Sequence, residues 1–426
     1  MALYREMNKE QLTSELASLQ KQYGEYQAKG LKLDLSRGKP DKQQTDLSLP
    51  MLDVLKSTDP LRSEDGADVC NYGVPDGLPE ARRLMGELLG LDPSLVFMGG
   101  NSSLNLMHDC MGLGFVHGFP GGNGGWHKEA TAKILCPVPG YDRHFSVSAH
   151  FGFELVNVPM TNEGPDMDEV ARLVKDPKVK GIWCVPKYQN PLGITFSDEV
   201  VRKLAALSPA AGDFRIFWDN AYAVHDLEPG KGDVLLNLMD ELRKTGKEDL
   251  VIMFSSTSKI TFPGAGISAI GASENNIAWI KKHFSLQTIG YDKVNMLRHL
   301  KFLPDINAVN ALMARHAAFL KPKFGAVQEA LNRDLKPAGV GSWTDPRGGY
   351  FVSLDLLDGC AKRTIQLCKE AGVVLTGAGA PFPHGIDPDD KNIRIAPTFA
   401  SVDEVKTCAA LLCLCAKIAC AEKLLA

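Results

Sequence analysis

No stretch of this chain is apolar for the roughly 20 residues that a bilayer-spanning helix needs, so no helical membrane anchor is expected. The opening Met1-Ala-Leu-Tyr-Arg-Glu-Met-Asn-Lys-Glu10 has no apolar core, which argues against a secretory signal, and its acidic residues argue against a transit peptide. Ten cysteines occur without a single Cys-x-x-Cys pair, and the ten histidines form no ligand-spaced cluster, so no metal site is expected. Without a leader, the thiols are expected to be free in a reducing compartment, the cytoplasm. Cys408, Cys413, Cys415 and Cys420 share one apolar helical stretch and read as small core residues. A basic excess is also missing: the net charge is −4, so neither nucleic acid nor an acidic membrane is an expected partner. The glycine-rich run Gly118-Phe-Pro-Gly-Gly-Asn-Gly-Gly125 lacks the Lys-Ser/Thr ending of a phosphate-binding P-loop and reads as a flexible, exposed excursion, with a lid as the lesser alternative. There is no internal repeat and no low-complexity tail.

What the chain does have is length and alternation. Its 426 residues are too many for one core, so a large and a small domain are expected. From about residue 68 to 300, short apolar runs such as 132–136, 181–185, 215–218 and 250–254 alternate with helical stretches. Such runs, bounded by Gly, Pro or Asp, predict an α/β fold with a mostly parallel sheet covered on both faces. Ligands of these sheets bind at the carboxyl ends of the strands. From about 310 a long helix, a turn at 343–350, short strands and a closing helix over about 402–425 predict a smaller α+β part.

Polar residues collect just past the apolar runs. Ser255-Ser-Thr-Ser-Lys259 places a lysine after four successive hydroxyls, which are donors suited to an anion, with Ser256 and Ser258 on one face at strand spacing. A lysine in a loop is ordinarily a solvated charge; here burial would depress its pKa and make it a nucleophile. Asp219 follows Ile216-Phe-Trp218, where a carboxylate is either a helix cap or the partner of a buried cation. Asn190-Pro-Leu-Gly193 is a turn by default, or an amide aimed at a ligand. Gly99-Gly-Asn101-Ser102-Ser103 opens a helical run, giving either a plain serine cap or a phosphate cradle at a helix N-terminus. Tyr141 is a rim aromatic or a stacking platform. Arg394, in Asn392-Ile-Arg-Ile-Ala396, sits on an apolar strand and calls for an anion that its fork can grip.

In order and spacing these segments resemble one family. The set runs Tyr72-Gly-Val-Pro-Asp-Gly77, Gly100-Asn-Ser-Ser103, Tyr141, Asn190-Pro-x-Gly193, Asp219-x-x-Tyr222, Ser256-x-Ser258-Lys259 and Arg394. It resembles the class I/II aminotransferases of pyridoxal-phosphate fold type I, over nearly the whole chain. Leu33-Asp-Leu-Ser-Arg37-Gly38-Lys-Pro40, Asp219-Asn-Ala-Tyr222-x-x-His225 and Thr288-Ile-Gly-x-Asp-Lys293-Val-Asn295-x-Leu-Arg298-His299 look like the divergent aspartate aminotransferases called type Ic.

The resemblance implies a large cofactor-binding domain over 51–305 and a small domain made of 1–50 with 306–426. It implies pyridoxal 5'-phosphate held as a Schiff base on Lys259, with Asp219 on the pyridine nitrogen, Tyr222 and Asn190 on the ring oxygen, and Tyr141 stacked on the ring. Asn101, Ser102, Ser103, Ser256 and Ser258 would hold the phosphate, Arg394 the substrate α-carboxylate, and the Gly38 backbone would lie nearby. Tyr72 would reach the cofactor of a second subunit, making a homodimer. The implied substrates are L-aspartate, L-glutamate and their 2-oxo acids. For the distal carboxylate Arg37, Lys293 and Arg298 are candidates, and Arg37 is favoured because it adjoins Gly38. One departure stands out: relatives carry a phosphate-binding arginine seven or eight residues after the lysine, where this chain has Gly266 and Ile267. Alternatives are transfer from alanine, 2-aminoadipate or aromatic amino acids, a lyase, a degenerate non-catalytic relative, and the sensor domain of a transcription regulator. The regulator would need a DNA-binding domain before residue 33.

Overall fold

In the computed structural model, which describes residues 3–426, the apolar runs pair into one eight-stranded mixed sheet. Met1 and Ala2, at the start of the segment read as leader-free, lie outside the described residues. The strand order is Val96–Met98, Ser268–Ala272, Val251–Ser256, Arg215–Asp219, Val179–Cys184, Lys133–Val138, Glu154–Thr161 and Gly164–Pro165. The five strands from Val251–Ser256 to Glu154–Thr161 are mutually parallel, while Ser268–Ala272 pairs antiparallel with both of its neighbours. The central strands are buried along their whole length, which is why they read as unbroken apolar runs rather than alternating ones. One core layer packs Val96, Ile182, Ile216 and Met253 beneath the sheet, and another packs Phe97, Ile134, Phe217 and Phe254 above it.

A second core gathers both ends of the chain. Helix Lys9–Ala28 packs on the closing helix Val402–Leu425, which also packs on Ala361–Glu370 and on the long helix Ile306–Asp334. Both terminal helices begin with a reciprocal capping box, Asn8 with Gln11 and Ser401 with Glu404. A three-stranded antiparallel sheet, Gly341–Trp343, Val352–Leu356 and Asn392–Ile395, faces these helices, and Leu33–Asp34 pairs parallel with Val373–Val374. Cys408, Cys413, Cys415 and Cys420 are buried in this core, as read from the sequence.

The glycine-rich run is exposed at Gly121, Gly122 and Asn123, as expected of an excursion, while its two ends are anchored. Gly118 at φ +73° lies so close to the Gly124 carbonyl that a Cβ would collide with it. Phe119 and Trp126 anchor the two ends in the core, and the Trp126 indole donates to Asp213 Oδ2 at 2.7 Å. Arg215, at the start of its strand, donates to the Pro120 carbonyl at 2.8 Å. The loop therefore caps the amino ends of the parallel strands, the rim opposite Asp219 and Lys259.

Candidate active site

Asp219 is the last residue of its strand and only 3% exposed. No helix follows it, so the capping alternative falls away. Its Oδ2 faces His144 Nε2 at 3.1 Å, while Oδ1 is buried and, among the described residues, has no hydrogen-bond partner. An unpaired buried carboxylate oxygen is costly and calls for a donor from a ligand. The His144 ring is stacked on Trp183 at 4.3 Å, and the Trp183 indole donates to Ser148 Oγ at 2.9 Å, so the imidazole is gripped from the face and the edge. His144 was not singled out in the sequence. The one available signal was its place three residues after Tyr141, whose ring meets it edge-on at 4.9 Å.

Lys259 lies in the turn beyond the neighbouring strand Val251–Ser256. Burial pushes its amine below the usual lysine range, and the Asp219 charge opposes that shift. Nζ stands 4.9 Å from the centre of the Tyr222 ring. Tyr222 is buried, and its phenol is pushed well above the ordinary tyrosine range, first by that burial and then by Tyr141 and Asp219. It therefore acts as a hydrogen-bond donor at neutral pH. Behind it, His225 faces the Lys259 carbonyl through Nε2 at 3.3 Å, and burial, with the Lys259 charge second, pushes it down to about 3.

The hydroxyl run divides. Ser255 and Thr257 turn into the core, where Thr257 Oγ1 meets His299 Nε2 at 3.2 Å. Ser256 and Ser258 are the partly exposed pair, on the shared face that strand spacing gives them. Ser256 Oγ donates to Ser258 Oγ, and Ser258 Oγ to the Asn101 carbonyl, both at 3.1 Å. Ser102 caps helix Ser103–His117 and accepts from Leu104 N at 3.2 Å, so the serine-cap reading holds, and the Asn101 carbonyl before it meets Ser258 Oγ. At the place of the missing arginine, Gly266 is wedged in: a Cβ there would lie 3.0 Å from Thr257 Oγ1 and 3.2 Å from the Asn101 carbonyl, while Ile267 is buried. The asparagine Asn295 donates to the Gly266 carbonyl at 2.9 Å from behind.

Arg394 enters from the three-stranded sheet, opposite Ser353. Its Nη1 donates to Asp142 Oδ1 at 3.0 Å and to Asn190 Oδ1 at 3.3 Å, and its buried Nε has no partner among the described residues. The guanidinium lies over the Phe351 ring at 5.1 Å, and Gly38 approaches that same ring so closely that no Cβ fits. Thus Lys259, Asp219, Tyr222, Tyr141, Asn190, Arg394 and Gly38 converge, while Asp142 and Phe351 were missed. Among the remaining candidates, Arg37 is held at the surface by Asp34 at 3.0 Å with its side chain 60% exposed. Arg298 donates to Asn295 Oδ1 at 2.5 Å, Lys293 is buried at the start of helix Lys293–Phe302, and Tyr72 is 82% exposed.

An amine, an unpartnered carboxylate oxygen, a donor phenol and a hydroxyl-lined helix N-terminus fit pyridoxal phosphate group by group. The described residues hold no helix long and apolar enough to cross a membrane. The family model for aspartate amino-transferase matches residues 7–426. An aspartate aminotransferase of Corynebacterium glutamicum is 43% identical over 404 residues, covering 95% of this chain and 93% of the relative. The crystal structure of an aspartate transaminase from the same species superposes with a TM-score of 0.97 at 41% identity, covering 99% of each chain. An α-aminoadipate aminotransferase of Thermus thermophilus, complexed with N-(5'-phosphopyridoxyl)-L-leucine, shares the fold at a TM-score of 0.71 and 18% identity, over 91% of this chain and 92% of that one. With the matching cleft and near-complete coverage, this chain belongs to the aspartate aminotransferase family of pyridoxal-phosphate-dependent, fold type I enzymes.

Proposed function

We propose that the cleft transfers the amino group of L-aspartate to 2-oxoglutarate, giving oxaloacetate and L-glutamate, with the residues above in defined roles. The single observation that carries the residue assignment is the buried, unpartnered Oδ1 of Asp219 within the same cleft as the low-pKa amine of Lys259. Bound pyridoxal phosphate supplies an aldehyde for amines and a ring that withdraws electrons from the substrate Cα. Asp219 would hold the protonated ring nitrogen through Oδ1, and His144 fixes the carboxylate's orientation from the other oxygen. Lys259, whose amine burial makes easier to deprotonate, would hold the cofactor aldehyde and serve as the general base and acid that moves the substrate Cα proton. Tyr222 and Asn190 would hold the ring oxygen as donors, and Tyr141 would pack on the ring. Backbone amides at Asn101–Ser103, with Ser256 and Ser258, receive the phosphate in place of an arginine. Arg394 binds the α-carboxylate, with Nε free to do so. We assign the distal carboxylate to Arg37, which must leave Asp34 to reach it.

We also assign 51–305 to the large domain and 1–50 with 306–426 to the small one, which closes on substrate and excludes water. The exposure of Tyr72 supports a homodimer in which this ring meets the partner's cofactor phosphate. The free thiols of all ten cysteines support a reducing, cytoplasmic location. The test is the absorbance spectrum of the purified holoenzyme before and after L-aspartate without any keto acid. Conversion of the cofactor band to that of pyridoxamine phosphate is expected. An unchanged band would move the substrate assignment to alanine, 2-aminoadipate or an aromatic amino acid.

A further inference from the structure

Arg394 already holds a carboxylate. Asp142 Oδ1 lies 3.0 Å from its Nη1, and the two side chains belong to different parts of the molecule. Asp142 is in the first turn of helix Asp142–His150, beside the large sheet, whereas Arg394 lies in the small sheet. The pair is asymmetric: the Asp142 side chain is 36% exposed and that of Arg394 10%. Asp142 can turn to solvent at little cost, but the arginine cannot. The guanidinium meanwhile keeps its buried Nε unpartnered, and Phe351 and Asn190 hold its plane without help from Asp142.

We propose that Asp142 is a resident carboxylate that neutralises Arg394 in the empty cleft and competes with the α-carboxylate of every substrate. This rests on the reading of Arg394 as the carboxylate clamp. When substrate binds, Asp142 either turns away or becomes a like-charged neighbour of the incoming group, and both weaken binding. The competition acts on the carboxylate and not on the reacting carbon, so it raises KM and leaves kcat unchanged. Every amino acid presents the same α-carboxylate, so the effect is uniform across donors, unlike that of a distal-carboxylate reader. Asp142 is thus a positioning residue that sets the working concentration range of the enzyme.

The test uses the holoenzyme and Asp142→Asn, with Asp142→Ser as a second variant in case the first fails to fold. KM for L-aspartate and for L-alanine should fall together by about tenfold, the equilibrium worth of one charge-assisted hydrogen bond, with kcat within about twofold. The dissociation constant of succinate, a dicarboxylate that cannot be transaminated, should fall by a similar factor when followed by thermal shift. A KM that rises or stays constant in both folded variants overturns the proposal, because Asp142 would then orient Arg394 or decorate the rim. Succinate binding needs no turnover, so it tests Asp142 even if no amino acid converts the cofactor and the transferase reading itself fails.

Discussion

Replacing Asp219 with Asn keeps the shape of the side chain and removes its charge. The carboxylate is 3% exposed, and its Oδ1 has no protein partner among the described residues; on the proposed assignment its partner in the holoenzyme is the cofactor ring nitrogen. Breaking a buried ion pair by removing one member costs about 3–5 kcal/mol. At about 1.36 kcal/mol per decade, the half-reaction with L-aspartate should slow by about two to nearly four orders of magnitude. Stopped-flow absorbance of the cofactor, in single turnover, measures this without interference from product release. Stability should move differently. Without cofactor, the native protein bears an unsatisfied buried oxygen worth about 1–3 kcal/mol of desolvation. Asn can still meet His144, as donor or acceptor according to the tautomer. Cofactor-free Asp219→Asn should therefore melt no lower than the cofactor-free native protein, while its melting temperature should rise less on adding pyridoxal phosphate. A variant that reacts within about fivefold of the native rate, or whose cofactor-free form melts several degrees lower, would refute the reasoning: Asp219 would then be a structural partner of His144.

Other perturbations probe the remaining features. Lys259→Ala should abolish the half-reaction and leave cofactor that dialyses away, read as loss of the protein-bound absorbance band. Arg394→Lys loses the two-pronged grip of the guanidinium, so KM for L-aspartate should rise by about tenfold or more in steady-state assays while the cofactor spectrum stays unchanged. Gly118→Ala forces a Cβ into the Gly124 carbonyl at a positive φ and should cost about 1–3 kcal/mol in urea unfolding, with kcat unaltered because the loop caps the far rim. Burial pushes His225 down to about 3, and His299 and His316 to about 4, from an ordinary 6.5. As pH falls below about 6.5 the unfolded chain binds these protons first, so stability is full above that pH and declines towards about 4. Each histidine contributes about 1.4 kcal/mol per pH unit within that window, and His316→Gln should make the urea-derived slope shallower by that amount.

Much of the cleft was legible because its residues break a pattern. Asp219 and Lys259 are charges at the ends of apolar strands, and Arg394 is a cation on a buried one, so each demanded a partner before any coordinates. The partners were harder to see. His144 reaches Asp219 across 75 residues and Asp142 reaches Arg394 across 252, and nothing local in either segment marks the meeting. Gly38 read as a backbone near the substrate, but its close approach to Phe351 depends on the segment after Leu33–Asp34, where the Leu35 carbonyl accepts from Ala396 N at the end of the small sheet. The hydroxyl run divides as strand spacing predicts: Ser256 and Ser258 share one face, while Ser255 and Thr257 turn inward. The place of the glycine-rich run in the fold was not read although a signal existed. It leads from helix Ser103–His117 into strand Lys133–Val138, so it must lie before a strand, away from the carboxyl ends where ligands bind.

The pairing of helix Lys9–Ala28 with helix Val402–Leu425 also bears on how the protein is made. On a ribosome, the first helix emerges nearly 400 residues before its partner. Its apolar stripe, Leu12, Leu19 and Tyr23, stays uncovered through almost all of synthesis. The large sheet can assemble meanwhile from neighbouring segments, but Arg394 and the surface beneath it arrive only with the final strands. A chain that stalls late thus lacks Arg394 and its strand and leaves the apolar stripe of helix Lys9–Ala28 uncovered, a state suited to capture by chaperones and proteases.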